Sequence, residues 1–111
     1  MIFNYEPYQS IGDRLKLLRT VKNYDSDIVA ATIEIPHKIY LAVEKNKAEP
    51  DFHTIRRLMQ LYGCTSDYII YGIMIGLREK LFQELSDYTR ANINAADAPN
   101  ILARYDKWWI N

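Results

Sequence analysis

The chain has 111 residues, 49% of them apolar, and contains four glycines and four prolines. This length and composition predict one folded domain and argue against a disordered or low-complexity chain. Fourteen basic and fourteen acidic residues give a net charge of zero, which argues against a strong non-specific nucleic-acid binder.

Membrane, export and metal signals are all weak in this sequence. The longest apolar run, residues 68–75, is broken by Gly72 and too short to cross a bilayer. The first six residues show neither a basic region nor a signal-peptide cleavage site. One cysteine, Cys64, and two histidines do not make a zinc site. We therefore expect a cytoplasmic protein with no metal and no cofactor.

The basic residues are grouped locally although the charges sum to zero. Residues 13–22 contain four basic residues and one acidic residue, and residues 38–57 contain five basic residues and three acidic ones. From charge alone, solvated helix faces and a nucleic-acid surface are about equally good interpretations.

The first two helices are indicated by capping residues and apolar spacing. Residues 1–9 are aromatic and irregular and predict an N-terminal arm. Ser10 predicts the N-cap of the first helix, and Asp25 or Ser26 that of the second. Apolar residues of the first helix recur on one face: Ile11, Leu15, Leu18 and Val21. Those of the second are Ile28, Val29, Ala30 and Ile33.

A tight turn joins the second helix to a third. The second helix ends near Glu34, and Pro36 starts the next because its ring pre-sets φ for a first turn. This spacing predicts a helix-turn-helix, with the third helix over residues 36–45. Its predicted buried face is Ile39, Tyr40 and Val43. The residues that point elsewhere are His37, Lys38, Leu41 and Ala42.

Two further helices follow. Asp51 predicts the N-cap of the fourth helix, and Gly63 ends it because glycine takes a positive φ without penalty. Its predicted buried stripe is Phe52, Ile55, Leu58, Met59 and Tyr62. Thr65 predicts the N-cap of a short fifth helix, which Gly72 ends.

Residues 73–111 predict two more helices. Leucines at 77, 81 and 85 lie on one face of a sixth helix, and Pro99 marks the start of a seventh. Large apolar side chains here predict either packing on the chain's own core or a two-fold dimer interface, and we slightly favour the dimer. The candidate interface residues are Leu81, Leu85, Tyr105, Trp108 and Trp109.

The order and spacing of residues 11–72 closely resemble the Cro and lambda-repressor-like DNA-binding domain, also called the XRE family. The segments that carry this resemblance are residues 11–19, Val29-Ala30, Ile33 with Ile35, residues 43–47 with Pro50, and residues 58–64 and 67–72. The family implies an all-α fold of five helices over residues 10–72. Here residues 1–9 precede that domain as an arm, and residues 73–111 follow it as a two-helix extension.

The resemblance also implies roles for individual residues on double-stranded DNA. The third helix would lie in the major groove, with base contacts from His37, Lys38, Leu41 and Ala42. Phosphate contacts would come from Ser26, Lys45, Asn46 and Lys47. Arg19 and Glu44 would form a partly buried ion pair that ties the first helix to the recognition helix.

Several positions depart from the family pattern. Glu34 replaces the usual turn glycine, which costs roughly 1 kcal/mol in a left-handed conformation and puts a negative charge near the DNA face. Pro36 replaces a Ser or Thr cap, and Ser26 replaces a Gln.

Two functions remain open at this point. The first is a repressor-like regulator that binds an inverted repeat as a homodimer, and the second is a protein-interaction module with weak or no DNA binding. We expect no enzyme, because no phosphate-binding loop, nucleophile elbow or metal-ligand spacing is present.

Overall fold

The computed structural model describes residues 10–92, which form six α-helices and no strand. The all-α prediction is confirmed. The predicted arm of residues 1–9 and the predicted seventh helix lie outside the described residues. The helices are α1 (Ile11–Lys22), α2 (Ser26–Thr32), α3 (His37–Glu44), α4 (Phe52–Tyr62), α5 (Ser66–Tyr71) and α6 (Glu79–Asn92).

Local capping chemistry sets the helix starts. The side chains of Ser10, Asp51 and Thr65 each accept a hydrogen bond from the backbone N–H three residues further on, at 2.8–3.0 Å. Each bond satisfies a donor that a helix start leaves unpaired. The predicted N-caps of α1, α4 and α5 are therefore confirmed.

α1 lies at the centre of the helix packing and contacts α3, α5 and α6. Leu15 and Leu18 of α1 are completely buried. Leu81 and Leu85 of α6 are buried in the same core, and α6 packs against α1. The other large buried apolar residues include Leu17, Val29, Ile33, Tyr40, Val43, Leu58, Tyr62, Tyr68, Ile69 and Met74.

Two apolar residues predicted to lie on a buried face are exposed. Ile39 is 49% exposed and Phe52 73%. Successive residues of a helix lie about 100° apart, so Ile39 lies at the edge of the face that α3 buries through Tyr40. Phe52 lies roughly 200° around α4 from the buried Thr54. These two burial predictions were wrong because apolar spacing alone does not show which side of each helix faces the core.

A buried arginine joins α1 to α5. The side chain of Arg14 is 4% exposed, and its Nε and Nη2 donate to the carbonyls of Ile69 and Ile70 at 2.9 and 2.7 Å. These carbonyls belong to the last turn of α5, where a cation is favoured and the oxygens lack helical partners. Arg14 therefore acts as a side-chain cap for α5.

Two kinds of feature are absent from residues 10–92. No helix there combines the length and apolar character that a membrane crossing requires. No group of three or more His, Cys, Asp or Glu residues lies close enough together to hold a metal ion.

Candidate nucleic-acid interface

α2 and α3 pack together through a short turn. The backbone N–H of Ile35 donates to the carbonyl of Ala30 at 3.0 Å, and that of Glu34 donates to Ala31 at 3.2 Å. Glu34 adopts a left-handed conformation with φ of 63°. A left-handed conformation at a residue other than glycine has an expected cost of roughly 1 kcal/mol.

α3 turns one face inward and leaves the opposite face open to solvent. Tyr40, Val43 and Glu44 are buried. At about 100° per residue, Lys38 and Ala42 lie roughly opposite Tyr40. His37 and Lys38 are exposed, whereas Leu41 and Ala42 are half-buried. The four predicted base-contacting residues are thus at least partly accessible along α3, which begins at His37 and has Pro36 as its N-cap.

A hydrogen bond joins two of the predicted DNA-contacting residues. Ser26 Oγ and His37 Nε2 lie 2.8 Å apart. The serine hydroxyl can donate or accept, so this bond is compatible with either neutral histidine tautomer. The start of α2 therefore braces the first residue of α3.

The segment after α3 contains two exposed lysines and an asparagine whose side-chain amide is hydrogen-bonded within the protein. Lys45 and Lys47 are exposed. Asn46 has φ of 61°, as predicted for the position after this helix. Its Oδ1 accepts from the backbone N–H of Gly12 at 3.0 Å, and its Nδ2 donates to Ser10 Oγ at 2.9 Å. The Asn46 amide therefore holds the start of α1, while both lysines face solvent.

The end of α3 is tied to α1 by an ion pair. The Arg19 guanidinium donates from Nε and Nη2 to the two carboxylate oxygens of Glu44, at 2.7 and 3.0 Å. The hydrogen bond to Glu44 raises the pKa of Arg19. Glu44 is buried, and a two-pronged contact of this kind fixes orientation as well as distance. This contact orients α3 relative to α1.

The buried hydroxyls of two tyrosines, Tyr40 of α3 and Tyr62 of α4, were not predicted from the sequence. The hydroxyls of Tyr40 and Tyr62 are buried, and neither makes a hydrogen bond of good geometry within the described residues. The ring of Tyr24 stacks on that of Tyr62 at a centroid separation of 6.1 Å. Burial is the main reason that the pKa values of Tyr40 and Tyr62 are raised.

Arg57 of α4 was also missed. Its Nη1 donates to the carbonyl of Ile33 at 3.0 Å, and its Nη2 lies 4.0 Å from the Glu34 carboxylate. The contact joins residues 24 positions apart, and an arginine on an amphipathic helix gives no sequence signal for such a partner. α4 therefore contributes a cation to the turn that precedes α3.

Most basic side chains of the cluster at residues 13–22 bind groups of the protein itself. Arg14 caps α5 and Arg19 pairs with Glu44, as described above. Lys22 pairs with Glu84 of α6 at 2.8 Å. Three of its four cations therefore support the helix packing, which favours the structural interpretation of this cluster.

The predicted dimer residues fall into two groups. Leu81 and Leu85 are 3% and 0% exposed and pack in the chain's own core. Tyr105, Trp108 and Trp109 lie outside the described residues. Any dimer contact from α6 would therefore use side chains other than these two leucines.

Cys64 is part of the hydrophobic core. It is buried, and burial raises the pKa of its thiol to about 12. A thiol with so high a pKa is a poor nucleophile near neutral pH.

One known protein is similar to this chain over a little more than half of its length. It is the SPbeta prophage-derived uncharacterized HTH-type transcriptional regulator YonR of Bacillus subtilis (strain 168), with 36% identity over 61 residues. The alignment covers 55% of this chain and 56% of that protein, so the chain spans about half the length of the relative. No protein-family model matches the chain, and no solved structure matches it significantly.

Proposed function

We propose that this chain is a sequence-specific DNA-binding transcriptional regulator of the Cro and lambda-repressor-like type, and that it acts as a repressor. The observation that carries this proposal is the α2–turn–α3 unit. In this unit α3 packs against α1 and α2 on its inner face, and its opposite face is open to solvent. The helix-turn-helix regulator to which the chain is similar supports the same function. In such units the second helix of the pair enters the major groove.

The outer face of α3 carries groups suited to reading bases. The Lys38 ammonium can donate to O6 or N7 of guanine, and an N–H of His37 can donate to the same edge. Ala42 and Leu41 offer methyl groups for contact with thymine. Because Ser26 braces His37, the histidine would enter the groove in a restrained orientation.

Phosphate contacts would flank this reading face. Lys45 and Lys47 extend into solvent just after α3, and the Ser26 hydroxyl lies at the start of α2. Contacts of this kind set the register on DNA without reading its sequence. A net charge of zero limits the non-specific part of the affinity.

A homodimer on an inverted repeat fits this function. Paired helix-turn-helix units read half-sites about one helical turn apart. In this proposal the residues after α6, including Trp108 and Trp109, supply the two-fold contact. The regulator would need no cofactor.

Selection from a pool of random duplexes at about 100 mM salt tests the proposal. We expect an enriched inverted repeat, and Lys38→Ala should weaken binding by about 1–3 kcal/mol and relax the preference at one base of each half-site. Lys45→Ala should weaken binding to all sequences and reduce the salt dependence by about one phosphate contact. Lys80→Ala, on the exposed side of α6, is the matched control.

A protein-interaction module is the second candidate function. The half-buried Leu41 and the exposed Ile39 on α3, together with the carboxylate of Glu34, favour it. Folded protein that enriches no duplex would contradict the DNA-reading proposal. A partner complex disrupted by Leu41→Asp would then support the alternative.

A further inference from the structure

The turn before α3 carries a charge that opposes DNA binding. The Glu34 side chain is 75% exposed, and Glu34 lies three positions before His37. Three residues of chain span at most about 11 Å, close to the distance over which salt screens charges, about 8–10 Å. A carboxylate there would repel the phosphates on either side of a groove that α3 enters.

Arg57 is placed to cancel this charge. Its Nη2 lies 4.0 Å from Glu34 Oε2, and its Nη1 donates to the carbonyl of Ile33 at 3.0 Å. The carbonyl contact fixes one edge of the guanidinium at the end of α2 and keeps its other edge beside the carboxylate. In the described part of the chain, no other cation forms an ion pair with Glu34.

We infer that Arg57 is a positioning residue for DNA reading, a role that rests on the proposed function. It holds the end of α2 through the Ile33 carbonyl and neutralises Glu34, so that the start of α3 can approach phosphates. Glu34 in the turn and Arg57 of α4 thus act as a pair, because the arginine neutralises the charge that the turn residue introduces.

This role differs from a simple contribution to folding. An ion pair at 4.0 Å between side chains that are 38% and 75% exposed adds little to stability, because water and salt screen it. DNA binding brings additional negative charge to the same place. The loss of Arg57 is therefore expected to affect affinity for DNA more than resistance to unfolding.

The neighbouring arginine provides a matched control. Arg56 is also exposed on α4, but its Nη2 lies 3.2 Å from His53 Nδ1 and makes no ion pair with Glu34. Arg56→Met and Arg57→Met remove the same charge from adjacent positions. A difference in DNA affinity between the two variants therefore reflects the position of the lost charge, because the net charge of both chains is the same.

The test measures binding of the full chain to the duplex recovered by selection, at several salt concentrations. We expect Arg57→Met to weaken binding roughly fivefold to tenfold, and Arg56→Met to change it less than about twofold. Glu34→Gln should restore the affinity of the Arg57→Met chain but change the parent little. A purely structural role predicts no such rescue, because glutamine does not replace the bond to Ile33.

Thermal unfolding of each variant shows whether it is folded. If Arg57→Met fails to fold, Arg57→Lys keeps the charge and should keep most of the affinity. Equal affinity of Arg57→Met and the parent would overturn the inference, as would a failed rescue, an equal loss in Arg56→Met, or a complete loss in folded Arg57→Lys. In these cases the parent still binds and the proposed function stands. A parent that binds no duplex overturns both.

Discussion

Replacing Gly12 with alanine is expected to push α1 away from α3. A Cβ atom at position 12 would lie 2.3 Å from the carbonyl oxygen of Glu44 and 2.7 Å from that of Val43. Both contacts are with backbone atoms at the end of α3, which have no free rotation by which to move aside. Helix α3 or the start of α1 must therefore shift.

The expected cost follows from three contributions. Overpacking at such a contact costs about 1–3 kcal/mol, and weakening the bond from the Gly12 N–H to Asn46 costs about 1 kcal/mol. Because alanine favours a helix more than glycine does, the substitution also stabilises α1 by at most about 1 kcal/mol. The free energy of unfolding should fall by about 1–3 kcal/mol, and each kcal/mol lowers Tm by roughly 4–8 °C in a domain of this size.

Thermal unfolding followed by circular dichroism measures this change, with Gly63→Ala as the control. Gly63 has φ of 66° and nothing within 4 Å of an added Cβ, so its variant carries backbone strain of about 1 kcal/mol without a clash. Both variants should melt earlier than the parent. Only Gly12→Ala should also weaken DNA binding at a temperature where both are folded. A Gly12→Ala chain as stable as the parent would refute the close approach of the two helices.

Three further predictions concern buried or capping groups. Tyr40→Phe removes a buried hydroxyl without a well-formed hydrogen bond, so urea denaturation should show stability unchanged or raised by up to about 1–2 kcal/mol; a clear loss would mean that the hydroxyl is bonded. The hydrogen bond from the backbone N–H of Thr54 lowers the pKa of Asp51. The stability that this cap provides is therefore complete above the pKa of the unfolded chain, about 4, and is lost as the pH falls through the lower pKa of the folded chain. Asp51→Asn should flatten this part of the acid titration of Tm, and an unaltered profile would contradict the assignment. The pKa of Cys64, about 12, predicts slow labelling by a thiol reagent in the native protein and fast labelling in urea; fast native labelling would show an open site.

The capping residues were predictable from the sequence because their chemistry is local. Ser10, Asp51 and Thr65 each act on a backbone N–H three residues away, so a short stretch contains all the information. The same holds for Asn46, whose amide side chain suits a left-handed conformation. Its hydrogen bonds to residues 34 and 36 positions earlier were not predictable in this way.

Helix orientation was the main source of error. Ile39 and Phe52 fit an apolar stripe when each helix is considered alone, but the packing of α1 and α5 decides which side is covered. Arg57 was missed for a related reason, because its partners belong to a turn that is distant in the sequence. Arg14 shows the converse, since a residue that looks like part of a solvated basic face is buried as a helix cap.

The central position of α1 also has a consequence for synthesis on the ribosome. α1 emerges before the groups that complete its contacts: the carbonyls that Arg14 binds follow 55 and 56 residues later, and the Glu84 partner of Lys22 follows 62 residues later. An isolated helix of 12 residues is only marginally stable in water. The nascent chain should therefore fold late and in one step, after α6 has left the exit tunnel, and a ribosome stalled before α5 should hold a chain that is still open to proteases.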